Sequence, residues 1–300
     1  MGRVAANGIE IEYETFGDAN DPTMLLVSGY TAQMSQWDPA FCALMAARGY
    51  HVVRFDNRDV GLSTHFDGVV VDLQAVMNAV VGKGDMPDVP YTMSAFSDDA
   101  FALLDALGVR QAHVVGGSMG GMIVQVMAIE HPERLLSMTS IMSMTGEPAY
   151  GASTPEARAS LMRVLPPERD AYIDAAVAGS RTYSTHRFFS EAHVRARAAA
   201  DFDRAYYPEG ATRQYAAILA SGQRVDALRE VNVPTFVLHG REDQLITLSG
   251  GARTAEVIPG ATLLVLADMG HDLPEPVWPI VVDAITSHAA HADLLRRPAN

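Results

Sequence analysis

Ser118 sits at the centre of Gly116-Gly117-Ser118-Met119-Gly120, a G-x-S-x-G pattern flanked on both sides by apolar residues. Glycines two residues either side of a serine suit a strand that reverses sharply into a helix. Such a turn leaves no room for Cβ atoms there, and the tip residue takes a strained backbone that lifts its hydroxyl clear of the sheet. A serine hydroxyl is a poor nucleophile near neutral pH and needs a neighbouring base. Downstream, His239-Gly240-Arg241-Glu242-Asp243 and Ala267-Asp268-Met269-Gly270-His271-Asp272 each follow a short apolar run. Serine, then acid, then histidine is the chain order expected when the serine sits on such a strand-to-helix elbow. His271 would take the Ser118 proton and return it to the leaving group, while Asp243 would fix the imidazole tautomer.

Other residues compete for these roles. His239 also lies at a strand end, but it precedes the acid on one loop and would have to fold back. Glu242 and Asp268 compete with Asp243, and Glu147 is the carboxylate that follows the preceding strand. A tetrahedral intermediate needs two donors aimed at its oxyanion. The backbone N–H of Met119, at the start of a helix whose dipole assists, is one. The backbone N–H of Tyr30, in the loop after the apolar run 23–28, is the other. Met34, Met142, Met144, Leu245, Ile246 and Met269 flank the same loops and predict an apolar substrate pocket; flexible methionines suit irregular substrates.

These groups need a scaffold that gathers loops at one edge. Short apolar runs at 23–28, 51–55, 112–115, 135–141, 235–238 and 262–266 read as strands covered on both faces. Helical patterns alternate with them. Asp38-Pro39 opens one, with Trp37, Phe41, Leu44 and Met45 as its apolar face. Asp72 to Val81 reads as another, and Thr92 opens a third, with Met93, Phe96, Ala100, Leu103, Leu104 and Leu107 at helical spacing. Apolar residues cover most of the circumference after Met119, so that helix is expected to be buried on several sides. Further helices follow Thr247 and span 276–289. A hairpin is predicted over 3–17 around Asn7-Gly8. The alternation argues for a mostly parallel, doubly covered sheet, in which ligands sit beyond the carboxyl ends of the strands. Residues 143–230 lack a buried strand and carry alanine- and arginine-rich helical patterns. They read as a helical cap insertion of about four helices between core segments 1–142 and 231–300. Its aromatic residues, Tyr172, Tyr183, Phe188, Phe189, Tyr206, Tyr207 and Tyr215, are expected mostly to pack on one another, with a minority lining a cleft.

The 300 residues carry 22 Lys and Arg against 36 Asp and Glu, a net charge of −14. That disfavours nucleic acid and anionic membrane as partners and leaves a small neutral substrate open. The one cysteine, Cys42, excludes an intrachain disulfide and reads as a buried thiol. With no apolar leader segment, a cytoplasmic location is expected. No metal or cofactor is expected. His288 and His291 stand three apart without a third ligand, no G-x-G-x-x-G follows a strand, and GKGD at 82–85 lacks the flanks of a phosphate loop.

GGSMGG, GREDQL and MGHDLP, with the D-x-R-x-x-G-x-S loop formed by Asp56, Arg58, Gly61 and Ser63, resemble the α/β-hydrolase fold superfamily across nearly the whole core. FDNRDVGLST, YTMSAFSDDAFALLDALGV and ADMGHDLPEPVWP are most similar to the aclacinomycin methylesterase-like group of bacterial serine esterases. Many relatives have His-Gly where this chain has Ser28-Gly29, a change that spares the backbone donor. The resemblance implies hydrolysis of a carboxylic ester through an acyl-enzyme, by analogy on a bulky polyketide, macrolide or other hydrophobic ester. The same triad would also serve C–C bond hydrolysis, lactone opening or perhydrolysis. A ligand receptor with slow turnover is a further reading.

Overall fold

The computed structural model describes residues 1–296. Eight strands form one sheet in the order β1-β2-β4-β3-β5-β6-β7-β8. These are β1 (Gly2–Ala6), β2 (Ile9–Phe16), β3 (Thr23–Val27), β4 (His51–Phe55), β5 (Ala112–Gly117), β6 (Leu135–Ile141), β7 (Thr235–Gly240) and β8 (Thr262–Leu266). Asn7 and Gly8 turn the β1–β2 hairpin with φ of 50° and 75°. The β1–β2 and β2–β4 pairings are antiparallel; all pairings from β4 to β8 are parallel. Parallel strands aim their carboxyl ends at one edge, so the loops after β3, β5, β6, β7 and β8 meet there.

Alternation along the strands explains the two cores. In β3, Leu25 and Val27 face one cluster with Val114, Phe96, Leu103 and Ile123, while Met24 and Leu26 face another with Phe41, Trp278, Val281 and Ile285. Helices α3 (Met93–Ala106), α4 (Met119–Glu130) and α10 (Leu248–Val257) cover the first face; α1 (Pro39–Ala46) and α11 (Trp278–Leu295) cover the second. Every residue of α4 from Met119 to Ala128 is buried. A further helix, α2 (Leu73–Val80), is capped by the Asp72 side chain.

Some boundaries depart from the sequence reading. Leu44 is 41% exposed rather than on the apolar face of α1, because that helix is only two turns long and packs through Phe41, Cys42 and Met45. Strand β8 lies at the sheet edge and is half-exposed. The last helix begins at Trp278 after a 3-10 turn, and runs to Leu295. Between β6 and β7 lie five helices: α5 (Pro155–Leu161), α6 (Arg169–Ser180), α7 (Glu191–Ala205), α8 (Gly210–Ser221) and α9 (Val225–Leu228), the last a single turn. No helix among the described residues is long and apolar enough to cross a membrane.

Candidate active site

The turn after β5 is built by close approach. A Cβ at Gly116 would lie 2.1 Å from the Gly120 carbonyl oxygen, and one at Gly120 would lie 2.1 Å from that of Val27. Ser118 at the tip has φ 57°, a left-handed conformation held by its N–H donating to Ile141 O at 2.9 Å and by the Ser143 hydroxyl donating to its carbonyl at 2.8 Å. Strain at the tip is the cost of presenting the hydroxyl.

His271 Nε2 lies 2.9 Å from Ser118 Oγ, and its Nδ1 lies 2.8 Å from Asp243 Oδ2. An ionised carboxylate only accepts, so Nδ1 carries the proton and Nε2 is free to accept from the serine hydroxyl. Asp243 is fully buried. Burial alone would raise its carboxyl, but His271, through its charge when protonated and its hydrogen bond, with His239 close by, outweighs that and holds it at about 2. Its other oxygen, Oδ1, accepts the N–H groups of Leu245 and Ile246, each at 2.9 Å. Leu245 and Ile246, read from sequence as pocket residues, thus bring their backbones to the acid.

The remaining carboxylates lie elsewhere. Glu147 is paired with Arg253 at 2.8 Å, which lowers it. Asp268 pairs with Arg187 at 3.0 Å, and Glu242 accepts the His186 N–H at 2.8 Å. His239 does fold back onto the acid, 3.4 Å from Asp243 Oδ2, while its Nε2 donates to Ile246 O at 2.7 Å. Burial pushes the Cys42 thiol up to about 12, which removes it as a nucleophile.

The loop after β3 runs against the serine turn: a Cβ at Gly29 would sit 3.3 Å from Ser118 Cβ. The N–H groups of Tyr30 and Met119 have no acceptor among the described residues. Met142 Cε comes within 3.3 Å of the Cβ position of Gly117, and Met142 packs in one cluster with Met269. Met144 and Ile246 instead close on Gly151 and Gly250. Met34 is buried, and its N–H donates to Asp56 Oδ1 at 2.7 Å.

That last bond explains the D-x-R-x-x-G-x-S loop. Asp56 Oδ2 accepts the Leu62 N–H at 2.8 Å and meets Arg204 at 2.7 Å; a Cβ at Gly61 would lie 2.2 Å from the carboxylate. Arg58 pairs with Asp99 through two 2.7 Å bonds, and the Ser63 hydroxyl donates to Asp56 O at 2.6 Å. The loop is a brace for the segment after β3.

Segment 143–230 touches both sides of the site. Tyr183 O accepts the His271 N–H at 2.7 Å, its ring meets the imidazole edge-on at 6.1 Å, and Asp272 Oδ1 accepts the Thr185 N–H at 3.1 Å. Tyr215 packs on Tyr30 at 5.9 Å. Tyr172 and Tyr206 pack on Phe202 within the segment. Sequence reasoning missed Gln36, Gln214 and Arg204, polar side chains with no periodicity or motif to mark them, and quoted Asp272 within MGHDLP without giving it a role.

A sheet of this order, with a serine elbow after β5 and an acid and a histidine after β7 and β8, is an α/β-hydrolase arrangement. The chain belongs to the alpha/beta hydrolase fold family, whose model matches residues 22–275, and it is a hydrolytic enzyme. Among known proteins it is 27% identical to the rhodomycin D methylesterase DnrP of Streptomyces peucetius and 26% identical to the rhodomycin D methylesterase DauP of Streptomyces sp. (strain C5). Each match covers 93% of this chain and 94% of the relative. The solved 2-hydroxy-6-oxo-6-phenylhexa-2,4-dienoate hydrolase (BphD) of Rhodococcus sp. strain RHA1 superposes with a TM-score of 0.72 at 20% identity, over 95% of this chain and 96% of that one.

Proposed function

We propose that the chain is a serine carboxylesterase that works through an acyl-enzyme. The observation that carries this is the continuous relay from Asp243 Oδ2 through His271 to Ser118 Oγ, at 2.8 and 2.9 Å. Ser118 attacks the ester carbonyl as His271 Nε2 takes its proton, and the free Tyr30 and Met119 N–H groups receive the oxyanion. Imidazolium then protonates the leaving alkoxide, and a water activated by the same histidine releases the acid. Asp243, ionised well below neutral pH, stabilises the imidazolium throughout.

The substrate class we propose is a small-molecule hydrophobic ester, with methyl esters of polyketides first on the strength of the two methylesterase relatives. Met142 beside the serine turn supports an apolar acyl site. Residues 143–230 act in this reading as a cap over the core, with Tyr183 and Tyr215 at its inner face. The test is a panel running from short-chain nitrophenyl esters to methyl and macrocyclic esters, with a vinylogous diketone alongside. Wild-type protein hydrolyses esters and Ser118→Ala does not. Ester hydrolysis at the wild-type rate in Ser118→Ala, or turnover of the diketone alone, overturns the proposal.

A further inference from the structure

Three consecutive N–H groups follow β3, and they alternate in how they are used. Gly29 N–H donates to Gln36 Oε1 at 2.6 Å, and Thr31 N–H donates to Gln214 Oε1 at 2.9 Å. Between them the Tyr30 N–H is free among the described residues. Gln36 belongs to the same loop, but Gln214 reaches it from α8, 183 positions along the chain.

Gln214 is completely buried, and its Nε2 donates to the Arg58 carbonyl at 2.8 Å. A carbonyl on one side and an N–H on the other leave a single orientation of the carboxamide, with its oxygen toward Thr31. Arg58 is itself fixed by its two bonds to Asp99, so the amide is anchored to rigid backbone. Thr31 has φ 56°, in the left-handed region that a β-branched residue seldom occupies. Its side chain is exposed, so packing does not impose that conformation; a turn closed by the Ala32 N–H on Gly29 O at 3.3 Å bends the chain there, and the hydrogen bond from the Thr31 N–H to Gln214 ties that turn to α8.

We propose that Gln214 is a positioning residue for the oxyanion hole: by tying the turn at Thr31 to α8, it keeps the Tyr30 N–H unpaired and beside the serine turn. This rests on the reading of Tyr30 as an oxyanion donor. It also means that the donor set is complete only when α8 is docked on the core.

The test compares an oxygen ester with its thionoester, because sulfur accepts hydrogen bonds poorly and the rate ratio reports the oxyanion donors. Two variants of the full chain are used, with active sites counted by a fluorophosphonate label. Gln214→Met keeps the length of the side chain and removes its hydrogen bonds. Thr31→Pro, at an exposed position, removes the donor and forces φ negative without touching the core. Removing a whole oxyanion donor costs roughly 100- to 1,000-fold in kcat, so a misplaced one should cost about 10- to 100-fold. Both variants are expected to lose that factor on the oxygen ester with little change in KM. The ester-to-thionoester ratio should narrow by about tenfold, which a general loss of structure would not produce. An unchanged ratio in either variant overturns the proposal. If Ser118→Ala retains ester hydrolysis, the esterase reading itself falls; if it is inactive while the ratio holds in the variants, only the role of Gln214 falls.

Discussion

His239 Nε2 lies 3.4 Å from Asp243 Oδ2, the same oxygen that His271 Nδ1 reaches at 2.8 Å. One carboxylate oxygen thus carries two histidines, and only one of them continues to the serine. The difference lies in the second bond each makes. His239 Nε2 spends its proton on Ile246 O at 2.7 Å, whereas His271 Nε2 is left to accept from Ser118. The histidine that competes for the base in sequence therefore braces Ile246, whose N–H donates to Asp243 Oδ1 at 2.9 Å.

Asp243→Asn should lower kcat by about 10,000-fold with little change in fold. The Leu245 and Ile246 N–H groups select the amide oxygen for the Oδ1 position, so the NH2 must face His271 Nδ1. That reverses the imidazole tautomer and puts a proton on Nε2, where the serine needs a lone pair. Steady-state kinetics, with circular dichroism to confirm the fold, checks this; a loss below tenfold would contradict the assignment.

Gly120→Ala should destabilise the protein by about 3 kcal/mol, since the new methyl would stand 2.1 Å from Val27 O in a fully buried helix start. Gly179→Ala is the control. It lies inside α6 with open space around the Cβ position, and should add about 0.5–1 kcal/mol of stability through helix propensity. Urea midpoints of the two variants should move in opposite directions.

Arg213 holds Asp59 through two bonds of 2.7 and 2.9 Å, with both side chains buried. Arg213→Met leaves the carboxylate buried without its counter-charge, held only by the Tyr91 hydroxyl and the Phe66 N–H, and should cost about 3 kcal/mol. Adding Asp59→Asn to the same chain should return part of that loss, because the stranded charge is gone. Chemical denaturation of the single and double variants reads the difference.

Stability should fall as pH drops from about 6.5 to 4, and His113 is a main cause. Burial lowers its pKa to about 4, outweighing the opposing charge of Asp293; His288 and Arg296 also lower it. The folded form keeps the ring neutral while the unfolded chain takes up a proton from about pH 6.5 downward. The unfolded state therefore binds more protons in that window, and stability is lost as pH falls through it, by up to about 3 kcal/mol. Unfolding free energies at pH 7 and pH 4.5 should differ less in His113→Gln than in the wild type.

Much of this architecture is legible in the chain. Apolar runs long enough for a strand and flanked by turn residues mark β3 to β7, and the order of serine, acid and histidine follows from which runs they terminate. Both are local signals, one set by burial and the other by the strain a turn must relieve. Leu44 shows the limit of periodicity, since a two-turn helix has room for only part of its stripe against the sheet. Gln214, Arg204 and Asp272 mark a different limit. Each bonds a residue remote in sequence, Asp272 also accepting the nearby Gly270 N–H, and a polar side chain on a helix or loop looks the same whether it meets water or a distant partner. The role of His239 is hidden for the same reason: sequence places it near the acid without showing that its proton goes to Ile246 O.

The bond from the His271 N–H to Tyr183 O and the bond from the Thr31 N–H to Gln214 cross from the core to residues 143–230 on opposite sides of Ser118. Grafting a relative's segment in place of residues 143–230 would therefore exchange more than the lining of the proposed substrate pocket. A transplanted segment lacking an acceptor at position 183 and an amide at position 214 would leave His271 and the loop that carries Tyr30, the proposed base and oxyanion donor, without those contacts. If the proposed roles hold, swapping the segment wholesale to alter specificity would sacrifice turnover, so remodelling should proceed one lining residue at a time with those two contacts preserved.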